Sequence, residues 1–362
     1  MKNNTLDQHK KFMKLAFKKA YNNLGSTNEN PSVGCILVKN GSVISSGHTS
    51  IKGRPHAEIN ALNVKKNFKN SILYSTLEPC VHYGKTSPCV NKIIKKKIKK
   101  VIYPLADYDL RTKNKAKSIL NKNKISVKVG VLKKEAKSFY KSYFLMKNNN
   151  LPLLDAKIAI SKDYFSVNKK KKWITNSYSR KRVHHIRSKY DCILSTYKSV
   201  NKDNSELNCR INGLEKYSPS RVIIDKNLKL KKNLKLFKSA KKIKTFIITF
   251  SNNKKKIKYF KSKNIKIINF KKDVGIIPYK EILMKIRKKG FSRILCESGL
   301  FTTSELIKQK LVYNLYVFQS SSLIKKNGKN SYKSILNKIK NKKKKYTQVN
   351  LLGDKFYNYK IK

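Results

Sequence analysis

Residues 55–89 constrain this chain more than any other stretch. Pro55-His56-Ala57-Glu58 is followed by Leu77-Glu78-Pro79-Cys80, and eight residues separate Cys80 from Cys89. One imidazole and two thiols are donors that Zn2+ favours, and three protein ligands leave a fourth position for water. For His56, Cys80 and Cys89 to meet, the segments carrying them must end at one edge of a common layer. The pattern supplies such segments. Residues 71–76 read as a strand that stops at the cysteine stretch, and residues 56–64 and 89–98 read as helices, the second with Val90, Ile93, Ile94 and Ile98 on one side. His56 and Cys89 therefore open helices, whose N-termini favour thiolate and turn amide N–H groups inward. Glu58 sits in the same first turn and can reach beyond the helix end, where a carboxylate beside zinc-activated water can carry a proton. Singly these pieces mean little. An H-x-E is common, and a lone buried cysteine behaves as a small hydrophobe. His82 suits a substrate contact or a satisfied loop histidine better than a fourth ligand. The combination carries the signal, because H-x-E joined to a later Pro-Cys pair is the zinc-deaminase arrangement, with the glutamate outside the ligand set.

The rest of the chain is organised in the same alternating manner. Phe12, Met13, Ala16, Phe17, Ala20, Tyr21 and Leu24 form a helical stripe over 10–24, stopped by Gly25. Residues 33–38, Asn40-Gly41 and residues 42–47 read as a tight hairpin. Further strands at 100–105 and 125–132 complete a sheet of five, so residues 1–147 form a layered α/β domain. Residues 147–152, polar and ending in Pro152, read as a linker. Beyond it, seven apolar runs alternate with polar segments and helix candidates at 177–189, 279–290 and 302–311, which predicts a second α/β domain over 151–362.

Composition narrows the setting. Six cysteines without framework spacing read as a reduced, intracellular protein. No apolar stretch approaches the roughly 18 residues that span a bilayer. The N-terminus has no signal-peptide pattern, so the expected address is the cytoplasm, with no membrane partner. The formal net charge is +67. Lysines run through almost every segment, which reads as sequence-wide bias rather than a recognition surface, and Lys169–Lys172 and Lys342–Lys345 read as solvated loops. No specific nucleic-acid partner is expected, though the charge favours phosphorylated small molecules.

Three stretches, residues 30–38 (NPSVGCILV), 53–62 (GRPHAEINAL) and 76–89 (TLEPCVHYGKTSPC), resemble the bifunctional deaminase–reductase family of riboflavin biosynthesis. Residues 156–163, 173–175, 179–194, 199–210, 221–225 and 296–299 resemble that family's reductase half in its order. The resemblance implies a cytidine-deaminase-like three-layer α/β/α domain followed by a dihydrofolate-reductase-like α/β domain. It implies Zn2+ held by His56, Cys80 and Cys89, with Glu58 as proton shuttle and Asn30 and His82 near the substrate. It implies hydrolytic deamination of a phosphorylated diaminopyrimidine, then NADPH-dependent reduction of its ribosyl group to ribityl. Ala159, Trp173, Ser199, Asp203 and the segment Gly299, Leu300, Phe301, Thr302, Thr303, Ser304, Glu305 fall at cofactor positions. Lys171, Arg187, Leu207, Arg210 and Glu297 fall at substrate positions, and the arginines are suited to clamp a phosphate bidentately.

The chain departs from the family at several points. Tyr164 and Thr196 stand where glycines are expected, Asp203-Asn204-Ser205 replaces an Asp-Asp-Pro stretch, and the glycines after Asp107 are missing. Two other readings therefore stay open: a deaminase whose second domain is a non-catalytic scaffold, and a nucleic-acid-binding protein or nucleic-acid deaminase. A homo-oligomer is left open as well.

Overall fold

The computed structural model describes residues 2–148, 151–270 and 277–362. The chain divides into two compact units, Met1–Asn150 and Leu151–Lys362. The polar stretch read as a linker lies partly, at 149 and 150, outside the described residues. Among the described residues no helix is long and apolar enough to cross a membrane.

The first unit runs α1 (Lys2–Ala20), β1 (Gly34–Lys39), β2 (Ser42–His48), α2 (Ala57–Leu62), β3 (Ile72–Ser75), α3 (Cys89–Lys95), β4 (Lys100–Tyr103), α4 (Ala116–Lys122), β5 (Ser126–Val129), α5 (Lys133–Phe139) and α6 (Lys141–Asn148). Its five strands lie in the order β2-β1-β3-β4-β5. The first two pairings are antiparallel and the last two parallel. Asn40 and Gly41 both take positive φ, +50° and +75°, the requirement of the two-residue hairpin turn read from the sequence. Two glycines show how the layers form. A Cβ on Gly34 would lie 1.9 Å from the Ala16 carbonyl oxygen of α1, and one on Gly47 would lie 2.4 Å from that of Ala57 in α2. Gly47 pairs with Cys35, so it points to the face opposite Gly34. The two helices thus pack on opposite faces of the sheet, each at near-backbone contact. Phe12, Met13, Ala16 and Phe17 of α1 are buried in this core, at about 1.5–3 kcal/mol for each large side chain.

The second unit runs β6 (Leu153–Ile160), β7 (Phe165–Asn168), α7 (Ser177–Arg187), β8 (Cys192–Thr196), α8 (Tyr197–Asp203), β9 (Ser220–Ile224), β10 (Thr245–Thr249), α9 (Lys254–Ser262), β11 (Ile265–Asn269), α10 (Tyr279–Lys288), β12 (Arg293–Cys296), α11 (Gly299–Lys308), β13 (Asn314–Gln319), β14 (Gly328–Ser331), α12 (Lys333–Ile339), β15 (Lys343–Tyr346) and β16 (Lys355–Lys360). Nine strands form one sheet in the order β11-β10-β9-β8-β12-β6-β13-β16-β15, and β7 pairs with β14. From β11 to β13 every pairing is parallel, whereas β16 and β15 are antiparallel. The seven apolar runs read from the sequence are the parallel strands, which carry the continuous hydrophobic stretches that doubly covered strands need. The four strands not foreseen are short or polar. The lysine run at 342–345, expected to be a solvated loop, falls mostly in edge strand β15, whose four residues are all exposed and which pairs with β16. The other run, 169–172, lies in a loop.

Candidate active sites

In the first unit, His56 is the N-cap of α2 and Cys89 the first residue of α3, while Cys80 lies in the loop beyond β3. Their donor atoms all lie within 4.8 Å of one another. His56 Nδ1 is 3.6 Å from Cys80 Sγ and 3.5 Å from Cys89 Sγ. Zinc bonds of about 2.05 Å to nitrogen and about 2.3 Å to sulfur, at a tetrahedral angle, require an N···S edge of about 3.5 Å. The three donors therefore fit Zn2+ in element type and in spacing. The Cys89 amide donates to Cys80 Sγ at 3.2 Å. The bond from the Cys89 thiol, helped by His56 and that amide, draws the Cys80 thiol well below its ordinary value. Cys89 is pushed upward by the same bond and by burial. His56 Nε2 is buried and has no hydrogen-bond partner among the described residues, so its outer nitrogen lacks the acceptor that usually fixes a ligand's ring.

Glu58 stands beside the donors. Its Oε2 is 3.5 Å from Cys89 Sγ, and its Oε1 accepts from Ser75 Oγ at 2.9 Å. Burial raises its pKa, opposed by the nearby His56 charge and the Ser75 bond. Asn30 packs against Gly53 in the loop leading to His56, since a Cβ there would lie 2.4 Å from Asn30 Nδ2. His82 is half-buried, with Nδ1 2.9 Å from Thr112 Oγ1. Thr112 belongs to a loop gathered by Glu78, a buried carboxylate that accepts the amides of Asp107, Asn114 and Ala116, each at 2.9 Å. Asp107, pushed up to about 6 chiefly by burial, accepts from Tyr143 Oη at 2.9 Å.

In the second unit the parallel strands β6, β8 and β12 end side by side, the usual place for a ligand in such a sheet. Glu297 follows β12, donating its amide to Leu194 O and accepting at its carbonyl from Ser195 Oγ, both 2.9 Å. Arg187, the last residue of α7, grips its carboxylate with Nε and Nη2 at 2.7 and 3.0 Å. Arg187 Nη1 donates to Asn208 O at 3.0 Å. Lys157, in β6, brings Nζ within 3.9 Å of the same carboxylate. Asp203 ends α8, where burial raises its pKa against the lowering charges of Lys202, Lys172 and Lys157. Ser199 Oγ lies 3.8 Å from where a Cβ on Gly299 would sit, so α8 and α11 open toward each other.

Residues 6–105 match the model of the cytidine and deoxycytidylate deaminase zinc-binding region, and residues 153–350 match that of the RibD C-terminal domain. The riboflavin biosynthesis protein RibD of Aquifex aeolicus is 31% identical over 312 residues, covering 85% of this chain and 86% of that protein. This chain belongs to the RibD family. The Buchnera aphidicola RibD is similar to the same degree, 30% over 329 residues, covering 86% and 87% of the two chains. A solved deaminase/reductase of Thermotoga maritima, named for diaminohydroxyphosphoribosylaminopyrimidine and 5-amino-6-(5-phosphoribosylamino)uracil, superposes with a TM-score of 0.83 at 26% identity, covering 98% and 99%. Acinetobacter baumannii RibD shares the fold, with a TM-score of 0.81 at 23% identity over 98% and 99%. As a RibD-family chain it is an α/β enzyme of riboflavin biosynthesis that couples a zinc deaminase to an NADPH-dependent reductase.

Against the RibD-family expectations, the positions fall into three groups. His56, Cys80, Cys89 and Glu58 converge. Arg187, Ser199, Asp203, Glu297 and Gly299 gather at the strand ends, with Ala159 two residues beyond Lys157 on the same side of β6. Leu207, buried and at φ +48°, and Arg210 lie on the adjoining loop. The third group is more peripheral. Lys171 is exposed, with its amide on Asn168 Oδ1 at 3.2 Å, and Trp173 is half exposed beneath Arg180 at 5.0 Å. In the 299–305 segment Leu300, Thr302 and Thr303 are buried, Ser304 and Glu305 are half-buried, and Gly299 and Phe301 are open to solvent.

In this structure the Arg187 guanidinium is engaged by the Glu297 carboxylate and the Asn208 carbonyl. The exposed Arg210 is bonded to the Glu206 and Asn208 side chains at 3.0 and 2.6 Å. The departures from the family also resolve differently. Thr196 is extended, with φ −116° and ψ 155°, and caps α8, so its backbone conformation does not require glycine. Asn114 takes φ +62° in the loop that lost its glycines, a conformation asparagine tolerates. Tyr164 takes φ +70°, where a bulky residue is strained. Lys157, Glu78 and Thr112 were not foreseen. A lysine inside an apolar strand is the signal for Lys157, and the lysine-rich background hides it.

Proposed function

We propose that this chain catalyses two consecutive steps. The first removes the 2-amino group of 2,5-diamino-6-(5-phosphoribosylamino)pyrimidin-4(3H)-one by hydrolysis. The second reduces the ribosyl group of the product to ribityl. The observation that carries the first step is the convergence of His56 Nδ1 and two thiols at tetrahedral edge lengths, with Glu58 against Cys89. Zn2+ would be held there by His56, Cys80 and Cys89 and would supply the Lewis acidity that activates water near neutral pH. Glu58 takes the proton of the attacking water and delivers it to the departing amine, while the Ser75 hydroxyl fixes the other carboxylate oxygen. Asn30 and His82 orient the pyrimidine, His82 being set by Thr112.

In the second unit NADPH, when bound, would supply the hydride, and the strand ends would form the sugar site. Lys157, next to a carboxylate whose charge is already shared by Arg187, is positioned to donate a hydrogen bond or proton to the sugar oxygen. Arg210 is suited to the phosphate. Residues 1–147 and 151–362 divide the two activities. The substrate is small and anionic, and the surface lysines favour its approach without sequence-specific nucleic-acid binding. A cytoplasmic address fits this reading, and a homo-oligomer is compatible with it.

The test is an assay of the purified protein with the diaminopyrimidine, with and without NADPH, identifying both products. Ammonia release should not depend on NADPH, and NADPH oxidation should require the deaminated intermediate. Ammonia release with no NADPH oxidation at high enzyme concentration would leave the second unit without the proposed role.

A further inference from the structure

Only nine of the 86 basic residues are arginine. One of them, Arg221 at the start of β9, is wholly buried. No carboxylate pairs with it among the described residues, and burial lowers its pKa to about 10. Burying a cation without a carboxylate in bonding distance is costly, and only the more distant Glu206 charge opposes that cost. Nε donates to Thr245 Oγ1 at 2.9 Å, Nη1 to Ser239 Oγ and Glu206 O at 2.9 Å each, and Nη2 to Ile243 O at 3.3 Å. Three of these partners belong to β10, the turn before it and the 3-10 turn at Lys235–Ser239. The fourth, Glu206, belongs to the loop that carries Leu207 and Arg210.

That bond connects the core to the substrate loop. Glu206 is held at its carbonyl by Arg221, and its carboxylate accepts from Arg210 Nη1 at 3.0 Å. The next residue, Leu207, is fixed at φ +48° with its side chain buried. Two residues after Glu206, Asn208 O is held by Arg187. The loop is thus pinned at two carbonyls by two arginines, one on each side of Leu207. A lysine could not replace Arg221, because its three donors diverge from one nitrogen and cannot span acceptors on three segments.

We propose that Arg221 is a positioning residue of the reductase unit, which sets Leu207 and Arg210 for the phosphorylated sugar through the Glu206 carbonyl. The inference rests on the reductase reading of this unit. In Arg221→Lys, KM for the deaminated intermediate should rise about tenfold, while KM for NADPH stays within about twofold and ammonia release is unchanged. Amide exchange at Leu207–Arg210 should quicken by about tenfold, with Ile223 and Ile247 still protected. Ser239→Ala, which removes another acceptor of the same nitrogen but leaves Glu206 bound, should keep KM within about twofold of the parent. Equal loss of protection in β9, β10 and the loop, an unchanged loop, or the same KM rise in Ser239→Ala would each overturn the proposal. If the parent protein oxidises no NADPH, the reductase reading fails, and the exchange pattern still decides whether Arg221 holds the loop.

Discussion

Arg187 and Glu297, 110 residues apart in the chain, meet through two parallel hydrogen bonds of 2.7 and 3.0 Å. Burial alone would push the Glu297 carboxyl up, but the charge and bonds of Arg187, with Lys157 nearby, bring it down to about 2. The pair joins the end of α7 to the loop after β12, and so joins two of the segments gathered at the strand ends.

A carboxylate depressed on folding adds stability above its ordinary pKa of 4.5, and this is lost as pH falls toward 2. The difference in unfolding free energy between the parent and Glu297→Gln should therefore be level above about pH 5 and shrink by about 3 kcal/mol on acidification. Urea unfolding across that range checks this. A difference that stays constant would mean that the pair is not linked to folding.

The zinc site separates two kinds of loss. Cys80→Ser or Cys89→Ser should abolish both metal retention and ammonia release, from about one Zn2+ per chain in the parent. Glu58→Gln should keep the metal and lower turnover by about 10²–10⁴-fold. Metal analysis beside an ammonia assay distinguishes them, and a near-normal rate in Glu58→Gln would remove the glutamate from its role.

Tyr164 occupies left-handed backbone at φ +70°, and its side chain is 37% exposed. Left-handed geometry costs a non-glycine residue about 1–2 kcal/mol, and glycine's greater freedom when unfolded returns about 0.5–1 kcal/mol of that. Tyr164→Gly should stabilise the second unit by up to about 1 kcal/mol, read as a higher unfolding midpoint. A lower midpoint would show that the ring makes contacts worth more than the strain.

Glu78 offers a test of the loop around His82. Glu78→Gln leaves one acceptor oxygen where two served three amides. Zinc content should remain, and KM for the diaminopyrimidine should rise about tenfold, with a smaller change in turnover. Loss of zinc in this variant would point instead to a role in holding Cys80.

The two sites differed in how far they could be read from sequence. His56, Glu58, Cys80 and Cys89 lie in one short span, and their element types and order already specify a metal and a proton carrier. The proposed sugar site is assembled from strand ends far apart in sequence, and its parts are ordinary residues until Glu297 and Arg187 are seen to meet. No local pattern reveals that Arg187 bonds to Glu297, since its partner lies 110 residues away. The parallel strands were legible from their apolar runs. Strand β15, four residues of Lys-Lys-Lys-Tyr, has neither alternation nor apolar content and exists only because β16 pairs with it.

That strand has a consequence for the protein in solution. Lys343, Lys344 and Lys345 line the free edge of a nine-stranded sheet, where unpaired N–H and C=O groups could template another chain. Two such edges approaching each other bring like charges together, and the repulsion acts over about 10 Å at 0.1 M salt but only about 3 Å at 1 M. Colloidal stability should therefore follow ionic strength, with dilute buffers keeping such edges apart and concentrated salt weakening the repulsion.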